Sequence, residues 1–386
     1  MTFRFIEAGE FMARRNGSVN PANFPDEEFE LHSIPAFDAG QPELLRGSEI
    51  GSSKQTVQPD DVMISKIVPH IRRSSVVGPA TGRRQIASSE WIVFRTRDLF
   101  PRYLRHLLVS DEFNEKFMST VSGVGGSLLR ARPAEVAKIK IPVPPLAEQR
   151  RIAAILDKAD ALRAKRREAI AKLDQLLQSV FLDMFGDPVE NPKQWPKESL
   201  AGLFYIARGG SPRPIDAYIT EATDGVNWIM IGDTVDGSKY IDGTRKKIRK
   251  EGVVRSRMVR PGDFLLTNSM SFGRPYILRT SGCIHDGWLV LSPKGSRTSQ
   301  DYLHSVLSSR SIYAEFARRA PGATVKNLNI DLVSGVEVPV PPIEMQAVFA
   351  DAVRQIELHG QRLQTQADEI DTFFASLQYH AFAGTL

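Results

Sequence analysis

The stretch that most constrains this chain is Ile141-Pro142-Val143-Pro144-Pro145-Leu146-Ala147-Glu148-Gln149, because it occurs twice. The second copy is Val338-Pro339-Val340-Pro341-Pro342-Ile343-Glu344-Met345-Gln346, and from Pro142 to Pro339 the displacement is 197 positions in a chain of 386. Solenoid units are roughly 20–50 residues long, so a period of half the chain means two similar halves. Each copy also dictates local structure. Proline donates no ladder hydrogen bond and suits the first position of a helix, so both Pro-Pro pairs end a strand and open a helix.

The first helix is expected to run from Pro145 to about Leu182, stopped by Gly186 and Pro188. With Ile152 at heptad position a, the a row is Ile152, Ala159, Arg166, Leu173 and Val180, and the d row is Ile155, Leu162, Ala169 and Leu176. The second helix is expected from Pro342 or Ile343 to about Tyr379, with Phe349, Ile356, Leu363, Ile370 and Leu377 at a and Ala352, His359, Gln366 and Phe373 at d. Such a seam needs a partner, since it otherwise exposes a long apolar stripe. The flanks are basic on the first helix (Arg150, Arg151, Lys158, Arg163, Lys165, Arg167, Lys172) and mostly acidic on the second (Glu344, Asp351, Glu357, Asp368, Glu369, Asp371), which favours pairing of one with the other. Chain order makes the pair antiparallel. That register places Arg166, the one charged seam residue, near His359 and Gln366, while Gly360 costs its helix about 1 kcal/mol relative to alanine and suggests close packing or a slight bend there.

Short strands are expected where turns lead into apolar runs: Pro59-Asp60-Asp61 into Val62-Met63-Ile64, Pro261-Gly262-Asp263 into Phe264-Leu265-Leu266, and the runs at Trp91 and Trp288. Tyr103 to Phe117, and Tyr302 to Phe316 in the repeat, carry apolar residues at helical spacing. The organisation is therefore α+β: a β-rich part over 1–143, a long helix over 144–186, a second β-rich part over 187–340 and a second long helix over 341–386.

Composition narrows the function classes. The single Cys283 excludes an internal disulfide and a multi-thiolate zinc site, so a reducing, cytoplasmic setting is expected. Met1 to Arg15 lacks the apolar core of a signal peptide, and no apolar run approaches the roughly 20 residues of a membrane span. A net charge of +5 and a pI near 9.2 suit a nucleic-acid partner.

With its two Pro-Pro-Leu/Ile-x-x-Gln helix starts, the run Phe181-Leu182-Asp183-Met184-Phe185-Gly186-Asp187-Pro188 continuing to Trp195-Pro196, and the strand at Pro261 to Leu266, the chain resembles the specificity subunits of type I restriction-modification systems over essentially its whole length. The resemblance implies two target-recognition domains, each reading one half of a bipartite asymmetric site in double-stranded DNA. It implies that the helices set the half-site spacing and dock two copies of a modification subunit, which would carry S-adenosylmethionine and the adenine methyltransferase chemistry. A restriction subunit could join. The chain itself would be non-catalytic and without a cofactor. The first domain lacks the Trp-Pro lead-in seen at Trp195-Pro196, which leaves its N-terminal edge open. About 37 helical residues at 1.5 Å each make a rod of roughly 55 Å, or about one and a half DNA turns.

Candidate DNA-binding residues are clustered cations: Arg72, Arg73, Arg83, Arg84, Arg130 and Arg132 in the first half, and Arg208, Arg213, Lys246, Lys247, Arg249, Lys250, Arg255, Arg257 and Arg274 in the second. Such side chains pair with phosphates, and arginine also bridges guanine edges; the bland alternative for any one is a solvated face. Gly123 to Ser127 lacks the Gly-Lys-Ser/Thr ending of a phosphate loop and reads as a turn, as does Gly322-Ala323-Thr324. Pro59 to Lys66 reads as a strand start rather than a nuclease motif, and Asn20-Pro21 and Asn191-Pro192 as turns. The seven histidines show no metal-ligand spacing, so no metal site is expected. Trp91 and Trp288 read as core. Two rivals remain open: a self-sufficient enzyme, which lacks a visible cofactor loop, and a coiled-coil scaffold that does not read DNA.

Overall fold

The computed structural model describes residues 3–13, 16–123, 129–235, 237–268, 272–320 and 327–386. The expected turns at Val124–Ser127 and Gly322–Thr324 lie outside them. The chain divides into two compact units, Met1–Ala169 with Leu363–Leu386, and Ile170–Arg362.

In the first unit Val62–Ser65 lies between Ser74–Val76 and Trp91–Phe94, antiparallel to both. The preceding turn closes on Asp61, whose carboxylate accepts the Gln58 N–H at 2.8 Å. Its corner, Asp60, sits at φ 67°; aspartate is among the few side chains that tolerate the left-handed region. A five-stranded sheet packs alongside, with Glu28–His32 parallel to Arg84–Ala87 at its centre. Arg4–Glu7 pairs with Lys140–Val143, the strand that leads into the first long helix, and so supplies the N-terminal edge.

The second unit repeats this plan. Phe264–Thr267 lies between Pro275–Leu278 and Trp288–Pro293, the Asp263 carboxylate accepts the Arg260 N–H at 2.9 Å, and the corner is Gly262 at φ 97°. Val226–Ile229 runs parallel to Gly282–Ile284, and Lys197–Ser199 pairs with Glu337–Pro339. The two plans differ at both edges of this sheet. Pro275–Leu278 carries a further parallel neighbour, Tyr240–Ile241, on its outer side, whereas the corresponding Ser74–Val76 is an edge strand; Trp288–Pro293 pairs on its far side with Phe204–Arg208, where Trp91–Phe94 has, among the described residues, the single bridge Met12–Phe94.

Each helical segment proves to be two helices. Pro101–Leu108 and Asp111–Met118 break at Ser110, whose hydroxyl accepts the Phe113 N–H, and Gln300–Ser308 and Arg310–Arg319 break at Ser309, which does the same for Ile312. Trp91 and Trp288 are core, donating their indole N–H groups to His32 O and Ile229 O.

The long helices are Leu146–Phe185 and Ile343–Ala383, each ending a few residues beyond expectation. They run antiparallel within each unit. In the first, Arg163 Nε is 2.5 Å from Asp371 and Arg151 reaches Leu386 O; in the second, the Phe349 ring lies 5.7 Å from Phe181 and 5.5 Å from Phe185.

The seam departs from the heptad reading. The a rows hold, but of the d rows Leu162 is 59%, Leu176 47% and Phe373 60% exposed, and His359 and Gln366 are exposed too. The second row of each seam is four residues past a: Leu156, Arg163, Ile170, Leu177 and Met184 on the first helix, and Val353, Gly360, Ala367, Phe374 and Ala381 on the second, all buried or half-buried. Arg166 is half-buried while His359 and Gln366, expected as its polar match, are exposed; in the first unit Asp371 takes Arg163 and Arg167. The cause is that the row at a plus four is as apolar as the row at a plus three, so counting heptads cannot choose between them. Leu156→Ala should cost about 2–5 kcal/mol and Leu162→Ala less than about 0.5 kcal/mol in denaturant unfolding; equal losses would restore the d-row seam.

Gly360 faces Leu173, and a Cβ there would meet Leu173 Cδ1 at 3.4 Å, an ordinary contact. Gly360→Ala should therefore raise stability by about 1 kcal/mol through helix propensity, read as a higher unfolding midpoint. A lower midpoint would mean that the backbone approach cannot accept a methyl group.

Candidate nucleic-acid interface

Each β-rich part is fastened to the root of a long helix by the same side chain. Buried Gln149 donates to Asp98 O at 3.0 Å and Pro144 O at 2.9 Å, and accepts the Phe100 N–H at 2.6 Å. Gln346 donates to Arg297 O at 3.2 Å and Pro341 O at 2.8 Å, and accepts the Ser299 N–H at 2.8 Å. Tyr103 and Tyr302 donate to Pro142 O and Pro339 O beside them, and burial pushes both phenols up. In the sequence the two glutamines stand only as motif ends. The signal that marks them is that Gln persists where Glu148 becomes Met345.

Charged pairs reinforce these joints. In the first unit buried His106 sits 2.7 Å from Asp157 on the long helix, with burial lowering its pKa. In the second, Lys239 bridges Asp301 at 2.7 Å and Glu357 at 2.5 Å; burial opposes its charge, but hydrogen bonds to both carboxylates outweigh that and raise its pKa.

The candidate DNA-contacting cations separate sharply between units. In the first, Arg72 pairs with Asp111, Arg73 with Asp38 through two bonds at 2.7 and 2.8 Å, Arg83 with Glu28, Arg84 with Glu27 and Arg130 with Glu90. Arg84 also lies over the Phe24 ring at 4.1 Å, and its hydrogen bond to Glu27 raises its pKa. Exposed Arg132 donates to Thr120 O. Most of these guanidiniums thus already hold carboxylates.

In the second unit Arg213 pairs with Asp286 and Lys250 with Asp224, while Arg208 and Lys247 donate to Asp286 O and Thr223 O. Among the described residues no carboxylate pairs with Lys246, Arg249, Arg255, Arg257 or Arg274, and all five are exposed. Four of them fall on Lys246–Ile248, the short helix Lys250–Val253 and Arg257–Val259, or within two residues of these elements. Val254, 85% exposed, and Met258, 54% exposed, flank Arg255 and Arg257. Free cations set among apolar side chains can hold phosphates and touch base edges together.

Among the described residues no three His, Cys, Asp or Glu side chains gather as metal ligands, and no helix is long and apolar enough to cross a membrane.

Residues 51–172 match the family described as the type I restriction modification DNA specificity domain. The specificity subunit of the type I restriction enzyme EcoBI of Escherichia coli is 25% identical over 279 residues, covering 64% of this chain and 58% of that protein's length. A chain solved in work on complex assembly and conformational transition of the type I R-M system superposes with a TM-score of 0.66 at 21% identity, covering 100% of this chain and 98% of that one. The type I restriction-modification S subunit from M. genitalium gives 0.54 at 10% identity, covering 99% and 96%. The fold of such subunits is therefore shared end to end, and the likeness read from the repeated Pro-Pro motif is borne out.

Proposed function

We propose that this chain, whose residues 51–172 match the type I restriction modification DNA specificity domain family, is the non-catalytic DNA-reading subunit of such a system. The observation that carries the reading is the doubled joint: two β-rich parts of one plan, each clamped by a buried glutamine to the start of a long helix, on helices that pair antiparallel in both units. Each part would read one half-site of a bipartite asymmetric sequence in double-stranded DNA. The helices would fix the spacing and dock two modification subunits, which would bring S-adenosylmethionine and the methyl transfer to adenine; a restriction subunit could add cleavage. In the second unit Arg249, Arg255 and Arg257 would hold phosphates, with Val254 and Met258 placed for thymine methyl groups.

Mapping methylated adenines in the host genome tests the reading, because it returns both half-sites and their gap. A gapped, two-part motif is expected, and a continuous one would refute it. Methyl incorporation by the purified chain alone, with labelled S-adenosylmethionine, would favour the enzyme reading instead. Sequence-indifferent binding in the reconstituted complex would favour the scaffold.

Reversing Arg255 and Arg257 to glutamate in that complex should weaken DNA binding at all sequences and lower the salt slope by about one for each phosphate no longer neutralised. Arg84→Ala should leave the slope unchanged, since that side chain already holds Glu27. The same titrations check both.

A further inference from the structure

The edge strand Ser74–Val76 borders a groove of about 1680 Å³ in the first unit. Small-molecule pockets are typically about 300–1,000 Å³, so this one is sized for a stretch of chain. The second unit shows what such a position takes. There Tyr240–Ile241 lies parallel to the matching strand, and the outward amides of Ile277 and Arg279 donate to Lys239 O at 2.8 Å and Ile241 O at 2.9 Å.

The register transfers directly. Val77 N–H donates to Asp61 O as Leu278 N–H does to Asp263 O, so Val76 and Gly78 hold the positions of Ile277 and Arg279. Their amides face outward, and among the described residues none of the chain's carbonyls accepts them. The apolar side is already closed: Ile241 is buried with Leu265, Leu278 and Trp288, whereas their counterparts Met63, Val77 and Trp91 are buried under the first unit's own side chains, with the Phe37 ring edge-on to Trp91 at 5.7 Å, so what this edge lacks is main-chain partners. Ser74 Oγ, buried on this edge, has no hydrogen-bond partner among the described residues, and buried His32 Nε2, 3.2 Å from Glu30 but forming no hydrogen bond, also lines the groove. Arg97 and Arg150 line it as well, exposed and without a carboxylate partner among the described residues.

We propose that this groove takes an extended, acidic segment of a partner protein as an added parallel strand on Ser74–Val76. Its carbonyls accept from Val76 and Gly78, and a carboxylate meets Arg97 or Arg150. Main-chain bonds supply affinity and the carboxylate supplies selectivity. The first unit leaves to a partner what the second supplies from its own chain.

The probe is an end-blocked peptide of residues 237–243, Gly-Ser-Lys-Tyr-Ile-Asp-Gly, and its variant with glutamate in place of the lysine. With the full chain, both should slow hydrogen exchange at the Val76 and Gly78 amides, and the glutamate peptide should bind more tightly at low salt. Val76→Pro removes one donor at a position where an edge strand tolerates proline, and should weaken binding about tenfold. The double change Arg97→Glu with Arg150→Glu, which leaves the backbone intact, should abolish the advantage of the glutamate peptide even if the proline variant fails to fold. No protection at the two amides, or affinity unchanged in both variants, would overturn the proposal. So would concentration-dependent protection without peptide, which would mean that a second copy of the chain covers the edge.

Discussion

Phe349→Ala should lower the unfolding free energy of the second unit by about 3–5 kcal/mol, the range for emptying a buried phenylalanine site. Phe349 is fully buried, and its ring packs edge-on against Phe181 and Phe185, the latter also edge-on to Tyr302 at 4.8 Å. Three elements meet in this cluster of rings: the end of the first helix, the start of the second, and, through Tyr302, the helix Gln300–Ser308 of the β-rich part. The cavity therefore loosens the joint as well as the core. Denaturant unfolding of the full chain should show a lower midpoint, and a loss under about 1 kcal/mol would mean that the neighbouring rings collapse into the space.

Gln149→Leu should be nearly as damaging, at about 3 kcal/mol. Leucine keeps most of the volume but strands the buried Pro144 carbonyl and the partly buried Phe100 N–H and Asp98 carbonyl, a fully buried orphan costing about 1–3 kcal/mol and the other two less as water reaches them. Gln149→Glu separates bonding from volume, since it keeps an acceptor for Phe100 but removes both donations. Its destabilisation should equal or exceed that of leucine, because a carboxylate would face two carbonyls. Thermal unfolding of both variants, with Gln346→Leu as the matching change in the other unit, checks the clamp; unchanged melting at both positions would show that it holds nothing together.

Much of this architecture is legible in the residues, because the features that specify it are local and repeated. Pro-Pro marks a strand end and helix start wherever it falls, and Pro-Asp-Asp and Pro-Gly-Asp each close a turn on the final aspartate, with Asp60 and Gly262 at the corner. The seam is less legible. Helix period alone leaves Phe373 and Phe374 as neighbours only about 100° apart, and which of them is buried depends on tertiary packing: Phe374 meets His106 and Arg163. The cations are least legible. Nothing local separates Arg84 from Arg255; Glu27, 57 positions away, claims the first, and only the folded sheet brings them together.

That difference in arginine use has a kinetic side. Charges already neutralised by a neighbouring carboxylate project little field, whereas free ones steer an approaching polyanion over distances near the Debye length, about 8–10 Å at ordinary ionic strength. On the proposed role, the second unit makes the initial, non-committal encounter with DNA and the first unit engages afterwards, by shape and hydrogen bonding. Raising salt would then slow capture mainly through one half of the recognition sequence, giving a protein built on a near-symmetric plan a preferred direction of arrival.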